Sequence, residues 1–148
     1  MKDMIDATDV KILACLESEG ALTNAALAER VGLSASQASR RKAGLEEAGY
    51  IRGYRADLDL RRLGYLVEAF TRVTLSAHKE TTHEDFAAFL SGLREVQHAW
   101  SITGDADYLI HIRVKSLDDL ADFIHRRLLP HAQVAQVRSD IVLKPIKR

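Results

Sequence analysis

Residues 22–49 read LTNAALAERVGLSASQASRRKAGLEEAG, and this stretch starts a helix twice. Thr23 can cap one helix, with Leu22 outside and Leu27 inside; Ser34 can cap another, with Leu33 outside and Ala38 inside. Each is a hydrophobic staple across an N-cap, and Ser34 with Gln37 also spells a capping box. Gly32 and Gly49 close the two helices, where glycine accepts the left-handed conformation without a Cβ clash. Two helices joined by a tight Gly32-Leu33 turn form a helix-turn-helix. Upstream, Asp6 can cap an earlier helix with Ile5 outside, closed by Gly20. That helix is expected to bury Val10, Ile12, Leu13 and Leu16, with Cys15 as a small core residue.

The third helix, about Ala35 to Ala48, points to chemistry. Ala38 and Leu45 mark its inner face, and Ser36, Gln37 and Arg40 its outer face near the N-terminal end. In a helix-turn-helix this end enters the major groove of double-stranded DNA. Gln can pair with adenine and Arg with guanine, each through two bonds. Ser34, Ser36 and Ser39 are short donors suited to phosphate at a helix N-terminus. Arg41 lies nearer the inner face, as a DNA contact or as an ion-pair partner of Glu46 or Glu47. Tyr50 to Leu58 reads as an extended strand after the helices. Arg52 and Arg55 on it can touch the DNA backbone.

The rest alternates strands and helices. Leu66–Ala77, Val96–Thr103, Tyr108–Val114 and Val134–Leu143 are strand-like. Thr81 and Ser116 can cap helices whose inner faces carry Phe86, Phe89, Leu90 and Leu93, and then Leu117, Leu120, Phe123, Ile124 and Leu128. The order βαββαβ is ferredoxin-like. The expected fold is therefore α+β. A winged-type helix-turn-helix domain occupies residues 1–50, a linking strand 51–65, and a βαββαβ oligomerisation domain 66–148. Such a sheet carries helices on one face only, so a homodimer is expected to cover the other.

Composition sets the outer bounds. The chain has 148 residues, 47% hydrophobic and 28% charged, as in a folded protein. No apolar run reaches the ~18 residues of a membrane span, and the start lacks a signal peptide, so a cytoplasmic, nucleoid-associated protein without membrane contact is expected. A single cysteine excludes an internal disulfide and a Cys-based zinc site. The formal net charge is zero, which at first argues against DNA. The zero is a cancellation, however: residues 1–29 sum to −4 and Arg30 to Arg55 to +4.

Four motifs in register carry a family likeness: Asp6-x-x-Asp9-x-x-Ile12-Leu13, Leu27-Ala28-x-x-Val31-Gly32-Leu33-Ser34, Leu45-Glu46-x-x-Gly49-x-Ile51-x-Gly53-Tyr54, and Gly104-Asp105-x-Asp107-Tyr108. Together they resemble the leucine-responsive regulatory protein/AsnC (Lrp/AsnC) family of transcription regulators. The resemblance implies DNA binding by the N-terminal domain and dimers that often assemble into octamers. It also implies small effectors, commonly amino acids, bound at the C-terminal domain between subunits. It places Ser36, Gln37, Arg40 and Arg41 at recognition-helix positions. Gly104, Asp105, Asp107 and Tyr108 match the turn bordering the effector site, and Ser139 matches a Thr or Ser facing it. The sequence departs from the family at Ala35, where proline is common, at Lys42, where an apolar residue is usual, and at Ala43 and Gly44, which replace residues often basic.

An amino acid needs an anion for its ammonium and donors for its carboxylate. Asp105 or Asp107 can supply the first and backbone N–H groups at the glycine turn the second. If Gly104-Asp105 is a two-residue loop, His98 and His111 face each other across the hairpin, as a metal pair, a proton sensor or interface packing. No nucleophile–base set or phosphate loop is legible, so no catalysis, cofactor or resident metal is expected. Two other readings remain: an architectural DNA-binding protein without effector, and a tetrapyrrole enzyme similar to the sirohaem decarboxylases, which share this two-domain architecture.

Overall fold

The computed structural model describes residues 5–76 and 80–146. The chain divides into two compact units, Met1–Leu58 and Asp59–Arg148.

The first unit holds α1 (Ala7–Ser18), α2 (Asn24–Val31) and α3 (Ala35–Glu47). Asp6 caps α1 by accepting from the N–H groups of Thr8 and Asp9, and the Asp9 carboxylate accepts from the Asp6 N–H. Thr23 caps α2, and Ser34 and Gln37 form the expected box on α3. Gly32 and Gly49 take positive φ, 71° and 78°, at the ends of α2 and α3. Gly20 does not: α1 ends instead at Glu19, whose N–H donates to the Cys15 carbonyl. The core is Ile12, Leu16, Leu22, Leu27, Ala28, Ala38 and Leu45, with Leu13 and Cys15 partly buried against it. Val10, expected inside, is 52% exposed. It sits one helical turn from the N-cap, off the stripe that Ile12 and Leu16 define.

The expected linking strand is absent from the described residues. Residues 51–59 carry no regular structure and 60–64 form a turn. β-type side chains alone do not make a strand; a ladder needs a partner, and among the described residues no segment pairs with them.

The second unit holds β1 (Val67–Leu75), α4 (Glu80–Ser91), β2 (Val96–Ser101), β3 (Tyr108–Val114), α5 (Leu117–Phe123) and β4 (Val134–Ile141). The strands form one sheet in the order β2-β3-β1-β4, with β1–β3, β1–β4 and β2–β3 all antiparallel. α4 begins at Glu80, so Thr81 lies in its first turn and not ahead of it. Ser116 does cap α5, accepting from the Asp119 N–H.

Side chains alternate across β1. Ala69, Thr71, Val73 and Leu75 are buried with Phe86, Leu90, Ile110, Ile112, Phe123 and Leu128 on the helix side. Leu117, expected inside, is 59% exposed at the first turn of α5. After Phe123 the helix widens into a π-turn, Ile124–Leu128, closed by Leu129 N–H on the Ile124 carbonyl at 2.9 Å. The wider turn delays the inner face by one residue. At α-helical spacing from Leu120 and Phe123, residue 127 would turn inward; here Leu128 is fully buried and Arg127 faces out.

Candidate DNA interface and effector site

α3 presents Ser36, Gln37 and Arg40 as exposed residues, while Ala38 and Leu45 anchor its other face. Arg40 is exposed and makes no ion pair among the described residues. Gln37 is partly engaged: its Oε1 accepts from the Ser34 N–H at 3.0 Å, which leaves Nε2 outward. Two-bond reading of adenine requires that oxygen, so it must leave the cap first. Ser34 Oγ accepts from the Gln37 N–H at 3.2 Å and lies 3.1 Å from Ser36 Oγ. Ser39 is half-buried; Arg52 and Arg55 are exposed on the irregular segment after α3.

Arg41 is turned away from the outer face. Its Nη1 donates to Asp6 Oδ2 and Asp9 Oδ1, both at 2.8 Å, in place of the expected Glu46 or Glu47. It fastens α3 to the capped start of α1. The backbone N–H of Asp9, and then the Arg41 guanidinium, hold the Asp6 carboxyl below the usual carboxylate range. The same two carboxylates raise the affinity of Arg41 for its proton, Asp9 most. Arg30 is likewise held by Glu19 at 2.6 Å. Lys42 lies over the Tyr54 ring, 4.9 Å from its centre, and the Tyr54 hydroxyl donates to Glu46 at 2.7 Å. Desolvation of that hydroxyl, with Glu46 beside it, pushes the Tyr54 phenol up to about 12. Sequence reasoning missed this use of Tyr54. Its signal was Lys42 itself, one of the departures from the resemblance, a cation where the resemblance implies an apolar residue.

The residues expected around the effector part company in the folded sheet. Gly104 has φ 114°, a conformation glycine accepts at the turn. Asp105 is exposed, and its Oδ2 lies 3.4 Å from Arg138 Nη1 on β4. Asp107 instead accepts from the Leu75 N–H at 2.7 Å, tying the turn to the end of β1. Tyr108 points to the helix side, 7% exposed, its hydroxyl 2.9 Å from His83 Nδ1. Burial, and then the Asp107 charge, push that phenol up. Ser139 also faces the helix side, its hydroxyl 2.8 Å from that of buried Thr71. Side chains of neighbouring strand residues point to opposite faces, so Arg138 and Ser139 cannot serve one pocket in a single chain. The hollow between Asp105, Arg138, Arg72 and Gln136 measures about 10 Å³, room for one water.

The open face of the sheet carries a row of rings. Trp100 and His98 on β2, His111 on β3 and Phe70 on β1 lie in sequence with centroids 5.6, 5.6 and 4.8 Å apart and near-parallel planes. The expected register holds: His98 pairs with His111, with their Nδ1 atoms 3.4 Å apart. His111 Nε2 lies 2.5 Å from Glu68 Oε1, and Arg113 stands 3.5 Å from the same carboxylate. This is a hydrogen-bonded chain. Among the described residues no group of three or more His, Cys, Asp or Glu is placed to hold a metal.

Comparison with known proteins agrees with both units. Residues 5–52 match a winged helix-turn-helix DNA-binding family, and residues 68–148 match the Lrp/AsnC ligand-binding domain. A leucine-responsive regulatory protein of Rhizobium meliloti is 39% identical over 97% of this chain and 92% of its own. A transcriptional regulator from Neisseria meningitidis, crystallised as an L-Met complex, is 39% identical with a TM-score of 0.93, covering 98% of this chain and 94% of that one. The AsnC structure of E. coli is 29% identical with a TM-score of 0.86, over 98% and 97%. The chain therefore belongs to the Lrp/AsnC family: it is a transcription regulator that binds DNA through its helix-turn-helix.

Proposed function

We propose that this regulator reads its operator through Ser36, Gln37 and Arg40, with Ser34, Ser39 and Arg52 on phosphates and Arg41 setting the tilt of α3 from behind. The observation that carries this is the split between neighbouring arginines: Arg40 is exposed and without an ion pair among the described residues, while Arg41 is bound to Asp6 and Asp9. The effector is an amino acid, held at the β2–β3 turn. The loose Asp105–Arg138 pair supports this, because a zwitterion can take its place, ammonium on Asp105 and carboxylate on Arg138. The small hollow there calls for a wall from a second copy. Two chains pair through the ring-bearing sheet face, dimers assemble to octamers, and the protein works on the nucleoid in the cytoplasm without catalysing a reaction.

The test is selection of bound sequences from random DNA, with and without each common amino acid. A regulator shows a preference of at least ~10³ over random DNA. Arg40→Ala should relax one position in each half-site and cost about 1–3 kcal/mol. Equal weakening on all sequences would remove the base-reading role. Sequence-independent binding with no amino-acid response would point to an architectural protein instead.

A further inference from the structure

The second unit has another hollow, away from the β2–β3 turn. It measures about 380 Å³ and lies between the end of β3, α5 with its π-turn, the segment before β2, and Tyr65. Pockets of about 300–1,000 Å³ hold small organic ligands. Its lining carries five Arg or Lys side chains against three Asp or Glu, a local excess of positive charge in a chain with none overall. Arg126 is occupied by Asp122 at 3.2 Å and Arg113 by Glu68 at 3.5 Å. Arg94, Lys115 and Arg127 have no ion pair among the described residues. The π-turn supplies the independent observation, since it is what keeps Arg127 out of the core and on this rim. π-turns are rare and concentrate at functional sites.

We propose that this hollow binds a nucleoside phosphate. The unpaired cations take the phosphate oxygens through charge-assisted bonds, with Arg127 offering the planar fork that fits them. The Asp119 carboxylate accepts from ribose hydroxyls or a base amino group, which a bare phosphate would leave facing like charge. The Tyr65 ring, 38% exposed, gives the base a face to stack on. The net positive lining selects a net anion over a zwitterionic amino acid, so this site is separate from the one at the β2–β3 turn.

The experiment is amide NMR and calorimetry on the full chain with AMP, ATP, inorganic phosphate and L-methionine as probes. AMP or ATP should perturb the amides of Tyr65, Lys115 and Arg127, with an affinity that falls as salt rises. Arg127→Glu and, separately, Lys115→Glu should each weaken that binding about tenfold or more while leaving operator affinity intact. The proposal fails if millimolar nucleotide leaves these amides unmoved or if its shifts are confined to α3. It fails equally if inorganic phosphate or L-methionine binds there as tightly, or if both variants bind nucleotide as the parent does. The reading of operator and amino-acid response is tested separately, by the selection of bound sequences with and without each amino acid.

Discussion

Gly44 lies inside α3 with open space where a Cβ would be and without a positive φ. Nothing in the fold requires glycine there. Gly44→Ala should therefore raise stability by about 1 kcal/mol, read from the midpoint of denaturant unfolding. The adjacent arginines teach the opposite lesson. Arg40 and Arg41 look alike in the sequence, yet one faces out and the other closes an ion triad with Asp6 and Asp9. Helical spacing put Arg41 nearer the inner face, but its partner is 35 residues away and became visible only when α1 packed on α3. The triad has a pH signature. Asp6 is depressed below its ordinary 3.8, so its contribution is present above that value and lost as pH falls through the lower folded one. Asp6→Asn keeps a capping oxygen and should flatten the acid limb of melting temperature against pH. A limb unchanged below pH 3.8 would show that the triad adds nothing.

At the scale of elements, the strands and helices with their own caps and alternation were legible. Tyr108–Val114 begins and ends where its apolar pattern does, and Ser34-x-x-Gln37 caps as read. The linking strand was not legible, since Tyr50, Ile51 and Tyr54 have β character but no ladder. The residues expected around the effector do not converge within one chain, for a related reason. Gly104 to Tyr108 are adjacent in sequence, and the strand pleat sends Tyr108 to the helix side while Asp107 is spent on the Leu75 N–H. Ser139 illustrates the consequence. It is the hydrogen-bond partner of Thr71, which is fully buried. Ser139→Ala should cost about 1–2 kcal/mol by leaving that hydroxyl unpaired, and adding Thr71→Val should recover most of it. A Ser139→Ala protein of full stability but altered amino-acid response would restore Ser139 to the effector site.

At the scale of the whole molecule, the zero net charge is assembled locally. Glu19 neutralises Arg30, and Asp6 and Asp9 neutralise Arg41, so part of the +4 segment is balanced by the −4 segment within one unit. Arg40, Arg52 and Arg55 stay exposed, without an ion pair among the described residues. Weak general attraction places the burden of discrimination on paired recognition helices, and pairing requires self-association. The ring-bearing face should provide it. Trp100, 45% exposed at one end of the row, is its most accessible large apolar residue. Trp100→Glu should convert the dimer to monomer in sedimentation and weaken operator binding, with the monomer still folded by circular dichroism. A parent chain that is already monomeric would remove this interface.

The sequence by itself determined the three N-terminal helices, the four strands of the sheet with the helices between them, their order and the family likeness, because caps, alternation and helical stripes are local and repeat at fixed spacing. It offered the His98–His111 register only on condition of a two-residue turn; the strands pair in that register as far as His98 and shift before Val96. Only the tertiary structure decided which charges are free and which are paired, where Tyr108 and Ser139 point, and that a π-turn turns Arg127 outward. The charge pairs and the directions of Tyr108 and Ser139 depend on contacts between residues distant in the chain, and the π-turn on a hydrogen bond from Leu129 to Ile124 that α-helical spacing does not record.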